Sequence, residues 1–366
     1  MLAEHFRGKT VLVTGHTGFK GSWLSQWLVD LGADVVGISL EVDTFPAMFD
    51  QLGVRDRVDH NVIDIRDPEP LADAVAAKQP DFVFHLAAQP LVRLSYSDPL
   101  TTFATNTMGT VHVLEALRRI EGSCHAVIVT TDKCYENDGR FGPYREGDPF
   151  GGHDPYSASK GAAEVVVASY RRSYFDPASF GSDHQVGVAS ARAGNVIGGG
   201  DWAVDRIVPD VMRALAANRP VEVRNPEATR PWQHVLEPLG GYLLLAVRMA
   251  EAGTAERREA VFGGFNFGPD PDSTRSVREL VDTILDNWPG SWVDTSDAKK
   301  PHEAALLSLA INKAAEVLDW RPHLAFPEAV SMTTEWYQTV ASRPRDALKI
   351  TRGQIRRYQE LFATDL

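Results

Sequence analysis

The chain has 366 residues, 43% apolar and 23% charged, the composition of an ordinary soluble globular protein with room for two domains or one large domain carrying a lobe. A formal charge of −12 excludes a general nucleic-acid binder, whose affinity rests on Lys and Arg neutralising phosphates, and leaves an anionic ligand to locally clustered arginines. Two cysteines, Cys124 and Cys134, are too few for a disulfide framework. The polar start "MLAEHFRGK" has no apolar signal region, and no apolar run approaches a membrane span, so the sequence reads as cytoplasmic.

Taken in chain order, "KTVLVTG" (9–15) is a short apolar strand ending in glycine, and "SWLSQWLVDLG" (22–32) follows at helical spacing. "DVVGISL" (34–40) and "VDHNVIDIRD" (58–67) hold two more strands, 68–78 a helix, and "PDFVFHLAA" (80–88) a fourth strand. A long helix over 101–119, a fifth strand in "CHAVIVTT" (124–131), a helix over 154–174 and a sixth strand in "HQVGVASARAGNVIG" (184–198) complete the pattern. Alternating strands and helices, several strands being apolar throughout, predict an α/β fold: a Rossmann-type doubly wound parallel sheet. The expected division is a dinucleotide-binding domain over 1–195 with a later return of the chain near 230–265, a smaller substrate-binding lobe over 196–350 and a C-terminal helix or tail over 351–366. "GGGDW", "RNPEATRPW" and "FGGFNFGPDPDS" read as loops of that lobe.

"TGHTGFKG" places Gly15, Gly18 and Gly21 between the first strand and the first helix, where glycines permit a tight turn and let the backbone approach a pyrophosphate at the helix N-terminus. The acidic residue that normally takes the adenosine ribose is less clear, with Glu41 and Asp43 just past the second strand. His16 and Lys20 inside the loop could tolerate a 2′-phosphate, so NAD is expected and NADP stays open. Asp64, ending the third strand, is either an adenine cap or a turn aspartate.

"GGHDPYSASKGAAE" is the most informative stretch. Asp154 suits an N-cap and Pro155 the first helical position, which sets Tyr156 and Lys160 four apart on one face. A neighbouring ammonium favours the phenolate, making Tyr156 an acid/base for an alcohol or carbonyl. Asp132 and Lys133 follow Thr131 at a strand end in "VTTDKCYEN" (129–137), as an ordinary surface pair or as two halves of a proton-transfer device.

With "HLAAQP", "NTMGTVHVLEA", "RAGNVIGGGDWAVDRIVPD" and "RPWQHVLEPLGGYL", these motifs resemble the extended short-chain dehydrogenase/reductases that act on nucleotide-diphosphate sugars, over nearly the whole chain. "TDKCYEN" and "GNVIGGGDWA" are most similar to the CDP-sugar branch of that family's 4,6-dehydratases. The resemblance implies catalytic roles for Thr131, Asp132, Lys133, Tyr156 and Lys160, with Asp132 protonating a leaving hydroxyl and Lys133 acting at C5 as base or electrostatic helper. It implies cofactor contacts from Gly15, Thr17, Gly18, Phe19, Gly21, Asp64, Ile65, Leu86, Ala87, Ala88, Tyr156 and Lys160. Substrate contacts are expected from Gln89, Arg192, Asn195, Trp202, Arg206 and Arg230. Arg224 is a further cleft arginine, and Trp202 reads equally as core. The implied partners are a nucleotide-diphosphate sugar and a second copy of the chain, as homodimer or homotetramer through the helices from Thr101 and Asp154.

His85, at a strand end, is structural or lines the cofactor pocket; no H-E-x-x-H or G-x-S-x-G occurs, so neither a metal site nor a hydrolase is expected. A nucleotide-sugar 4-epimerase and a non-catalytic dinucleotide sensor are the alternatives. Asp132 and Lys133 exceed what epimerisation needs, and an intact Thr131, Tyr156 and Lys160 argue against the sensor.

Overall fold

The computed structural model describes residues 2–139, 142–296 and 307–364. Seven strands form one sheet: β1 (Thr10–Thr14), β2 (Asp34–Ser39), β3 (Asp59–Val62), β4 (Phe82–His85), β5 (Cys124–Val129), β6 (Val186–Ala193) and β7 (Gly264–Phe267). Their order is β7-β6-β5-β4-β1-β2-β3, every pairing is parallel, and the order reverses at β1, which pairs with both β2 and β4. Ligands of such sheets bind outside the carboxyl ends of the strands at that reversal.

Helices cover both faces: α1 (Phe19–Asp30), α2 (Pro68–Lys78), α3 (Gly109–Leu117), α4 (Pro155–Ser173), α5 (Leu236–Ala250) and α6 (Ala347–Thr364). Alternation along the strands sorts the two layers. Val11, Val13, Val127 and Val129 face Trp23 and Trp27 of α1, Leu239 and Leu243 of α5 and Tyr358 of α6. Leu12, Val36, Ala126 and Ile128 face Leu71 and Val75 of α2, Val113 and Leu114 of α3 and Val167 of α4.

Two elements differ from the sequence reading. "FGGFNFGPDPDS" contains β7, with Phe265 and Phe267 fully buried; a four-residue strand that opens on Gly264 and is flanked by Gly263 and Gly268 carries more turn signal than strand signal. The helix expected from 101 begins at Pro99 behind an Asp98 cap and passes through a π-helical turn, Ala104–Met108, before continuing as α3.

Past β6, short ribbons pair Val196–Ile197 with Gln233–His234, Thr229–Pro231 with Thr274–Ser276, and Val221–Val223 with Trp292–Asp294. Between them α5 returns to the sheet, buried on nearly every side, as a helix apolar all round must be. α6 begins at Ala347, ahead of the expected boundary, and buries Ile355, Tyr358 and Phe362.

Candidate active site

The glycine loop is shaped by contact rather than by flexibility. Gly15 has φ +74°, and a Cβ there would stand 2.7 Å from the Ala87 nitrogen; a Cβ on Gly21 would stand 2.0 Å from the Gly15 carbonyl oxygen. Both sites therefore need glycine. Gly18 is exposed and precedes α1 without a side-chain cap, so the helix N-terminus opens on the cleft, a cradle that fits a pyrophosphate. The Thr17 hydroxyl lies 2.7 Å from Ser39 Oγ and donates to the Leu40 carbonyl at 3.0 Å, tying the loop to the end of β2. Phe19 is half-buried, its ring close to Gly198.

His16 and Lys20 do not form the 2′-phosphate cation site that the NADP alternative would use. The His16 ring turns inward to His60, Nε2 to Nδ1 2.6 Å, and burial, then His60, push it down to about 4, so it is neutral. Lys20 reaches toward the other end of the cleft, its Nζ 3.5 Å from the Tyr242 hydroxyl. Burial pushes it down to about 7, helped by Arg206, Lys160 and Lys133 and resisted by Asp132. Past β2, Glu41 pairs with Arg55 at 2.7 Å. Asp64 pairs with Arg66 and keeps 18% of its side chain exposed, while the Ile65 side chain is buried under Gly109 and leaves only its backbone for a cofactor.

After β4, Leu86, Ala87 and Ala88 line the edge half-buried, the first two anchored on Thr14. His85 uses both ring nitrogens, 2.7 Å from the Thr14 hydroxyl and 3.2 Å from that of Thr110; burial and then Lys160 push it down to about 3. Gln89, expected on the substrate, is committed to its own turn: its side chain bonds the Leu91 N–H and carbonyl and the Thr102 hydroxyl. Asn106, missed from sequence, sits in the π-helical turn and bridges the Gln89 backbone to Ser159 Oγ at 2.9 Å. Its only sequence trace is a polar residue inside an otherwise helical run.

The chemistry-bearing groups converge at the end of β5. A 3₁₀ turn, Asp132–Cys134, starts there, capped by Thr131. Thr131 Oγ1 donates to Asp132 Oδ1 at 2.8 Å, and Lys133 Nζ lies 3.3 Å from the same oxygen. α4 starts as expected, Asp154 capping Ser157 with Pro155 in the first turn. That phase brings the Tyr156 phenol against Thr131 and sends Lys160 Nζ to the Val129 carbonyl at 3.2 Å. Burial raises the Tyr156 pKa, while Lys133, the Thr131 hydroxyl and Arg206 draw it back. Burial lowers Lys160 to about 8.

The arginines divide. Arg192 is not a substrate ligand: it is buried, donates twice to Glu164 and reaches the Tyr135 hydroxyl at 2.6 Å, so its fork is filled from within the core. Trp202 packs edge-on to Tyr337 and donates to Gln51 Oε1, which leaves it a packing residue and not a sugar platform. Arg206 pairs with Asp201 at 2.9 Å and still acts on Tyr156 and Lys20. Arg224 pairs with Asp205 and Asp210. Asn195 is half-buried after β6, and Arg230 lies opposite Arg275 on its ribbon.

Residues 12–333 match the family described as GDP-mannose 4,6 dehydratase. The chain belongs to that family. It is 45% identical over 362 residues, 98% of each chain, to a CDP-glucose 4,6-dehydratase of Salmonella typhimurium. A dTDP-glucose 4,6-dehydratase of Streptomyces antibioticus is 29% identical over 336 residues, 90% of this chain and 92% of the relative. Among solved structures, dTDP-glucose 4,6-dehydratase from Streptomyces venezuelae with NAD bound superposes with a TM-score of 0.72 at 25% identity, covering 92% of this chain and 99% of that one. A dTDP-glucose 4,6-dehydratase of Bacillus anthracis shares the fold, with a TM-score of 0.73 at 19% identity over 92% and 98% of the chains. Among the described residues no helix is long and apolar enough to cross a membrane.

Proposed function

We propose that the protein is an NAD-dependent 4,6-dehydratase that converts CDP-glucose to the 4-keto-6-deoxy sugar nucleotide, in the cytoplasm, for bacterial deoxysugar and lipopolysaccharide precursors. The observation that carries the reading is the Asp132–Lys133 contact beside Tyr156: oxidation at C4 needs only the tyrosine, whereas loss of water needs a further acid and a further base. The CDP-glucose dehydratase relative supports the choice of substrate. Gly15, Gly18 and Gly21, with the open N-terminus of α1, would hold the cofactor. When bound, NAD supplies the hydride acceptor for C4 and the donor for C6.

The side chains then divide the protons. Tyr156 takes the proton of the C4 hydroxyl. The new ketone acidifies C5, whose proton Lys133 removes. Asp132, protonated, gives its proton to the C6 oxygen, which leaves as water. Lys133 returns a proton to C5 as C6 is reduced, and the proton held by Tyr156 restores Asp132 through Thr131, which touches both. A neutral Lys133 with a protonated Asp132 is the ion pair with one proton moved across 3.3 Å, so the starting state is a tautomer of the resting one. Arg206 and Arg230 would meet the diphosphate, where guanidinium forks suit phosphate oxygens.

Two copies would pair through the surface carrying Leu94, Tyr96, Leu100, Phe103, Met108 and Val165, which are exposed on neighbouring helical segments including α4. The test is incubation of the purified protein with CDP-glucose and NAD. A 4-keto product absorbing near-ultraviolet light in alkali is expected. CDP-galactose would mean epimerisation, and binding without conversion a sensor.

A further inference from the structure

Three side chains spaced four apart on α4 meet three successive residues, the last of β5 and the two that follow it. Tyr156 faces the Thr131 hydroxyl, Lys160 donates to the Val129 carbonyl, and Glu164 accepts from the Thr130 hydroxyl at 2.5 Å. A proton-transfer pair of tyrosine and lysine does not call for the third. Yet the Glu164 side chain is 2% exposed and saturated: Ser190 Oγ donates at 2.7 Å, and Arg192 donates through Nε and Nη2, both at 2.9 Å. Burial opposes its ionisation, but Arg192, Thr130 and Ser190 outweigh burial and hold the carboxyl below the usual carboxylate range.

We propose that Glu164 is a positioning residue for the Tyr156–Lys160 pair: its buried carboxylate keeps Lys160 charged, and its bond to Thr130 fixes the strand end at which both side chains are aimed. The inference rests on the reading of Tyr156 and Lys160 as the C4 proton pair.

The surroundings of Lys160 leave that electrostatic task to Glu164. Burial alone drives its ammonium toward neutrality, and Glu164 is the strongest influence in the other direction. On β4, His85 is neutral, with both ring nitrogens engaged. In the turn after β5, the buried Cys134 thiol is raised well above its ordinary value and stays protonated. Lys20 on α1 is itself pushed down to about 7 and supplies no anion. Asp132 and Lys133 share one ion pair, and Tyr156 lies a turn back along α4. Arg192, on β6, approaches through Glu164 and cancels part of its field. A Lys160 that lost its proton would cease to favour the Tyr156 phenolate, so C4 oxidation should fail as pH rises through the Lys160 titration.

The experiment reads single-turnover C4 oxidation, as reduced-nicotinamide absorbance with CDP-glucose and NAD, from about pH 6 to about pH 10. Wild type is compared with Lys160→Met, Glu164→Asp, Glu164→Gln and Glu164→Gln combined with Arg192→Met. Glu164→Gln alone strands a buried guanidinium, so the double variant, in which both charges go, keeps the test open if the single one does not fold. The expected result is an alkaline limb moved down by about one pH unit in the double variant, about tenfold slower above the limb, with KM for CDP-glucose unmoved. Glu164→Asp should return the limb toward wild type. A folded double variant with the wild-type limb, beside a slow Lys160→Met, overturns the role of Glu164 alone. Wild-type rates in Lys160→Met overturn the reading of the pair, and this inference with it.

Discussion

Lys133 Nζ lies 3.3 Å from Asp132 Oδ1, and the two side chains differ in reach: Asp132 is 2% exposed, while Lys133 keeps 25% of its side chain open to the cleft. One group is held in place by Thr131 and the other is free to meet a substrate carbon.

Asp132→Asn separates oxidation from elimination. The amide has no proton to give a leaving hydroxyl, whereas Tyr156 still serves C4. Reduced nicotinamide should accumulate on the enzyme while 4-keto-6-deoxy product forms about 10²–10⁴-fold more slowly. Stopped-flow absorbance with a product assay checks this; parallel loss of both steps would remove Asp132 from the acid role.

Arg192 and Arg230 should fail in different ways. Arg192→Met leaves Glu164 buried without its counter-charge and should cost about 3–5 kcal/mol of stability, read by urea denaturation. Arg230→Ala should raise KM for CDP-glucose by about tenfold or more. An unchanged KM would place the diphosphate elsewhere.

Gly21→Ala should abolish the cofactor cradle, because its Cβ meets the Gly15 carbonyl at 2.0 Å and backbone must shift. Gly18→Ala meets that oxygen only at 3.4 Å and leaves the fold intact. Calorimetric titration with NAD should show no binding to the first variant, and circular dichroism should show a native fold for the second.

The sequence made the sheet and α4 legible because both rest on local patterns: apolar runs between turns, and a cap followed by proline. The turn proposed to carry the proton transfers was legible for the same reason, since Thr131, Asp132 and Lys133 are adjacent in the chain. Side-chain direction was not. Arg192 and Arg206 both read as cleft arginines, yet Arg192 sits within β6 with its neighbours on the sheet face toward Glu164, a tertiary fact without a local trace. Lys20 likewise lies within the glycine loop in sequence but points in space at Tyr242 and the groups around Asp132 and Arg206. β7 was hidden because four residues framed by glycine carry too little periodicity.

Glu237 makes stability depend on pH. It is fully buried and accepts from the His323 and Leu324 N–H groups and the Tyr358 hydroxyl; burial outweighs those bonds and raises it from 4.5 to about 7. A raised folded value means a contribution present below about pH 4.5 and lost as pH rises through about 7. Glu237→Gln keeps an acceptor for both N–H groups and has no charge to form. Melts of the variant should be flatter across that window, by about 3 kcal/mol; an unchanged slope would assign the pH dependence elsewhere.

The most direct test of the account is exchange of the sugar C5 hydrogen with deuterated solvent in Lys133→Ala. If Lys133 removes that proton, C4 oxidation should persist while deuterium incorporation at C5 falls about a hundredfold or more. Incorporation at the wild-type rate would contradict the role of Lys133 and leave the Asp132–Lys133 contact as an ion pair without a catalytic task.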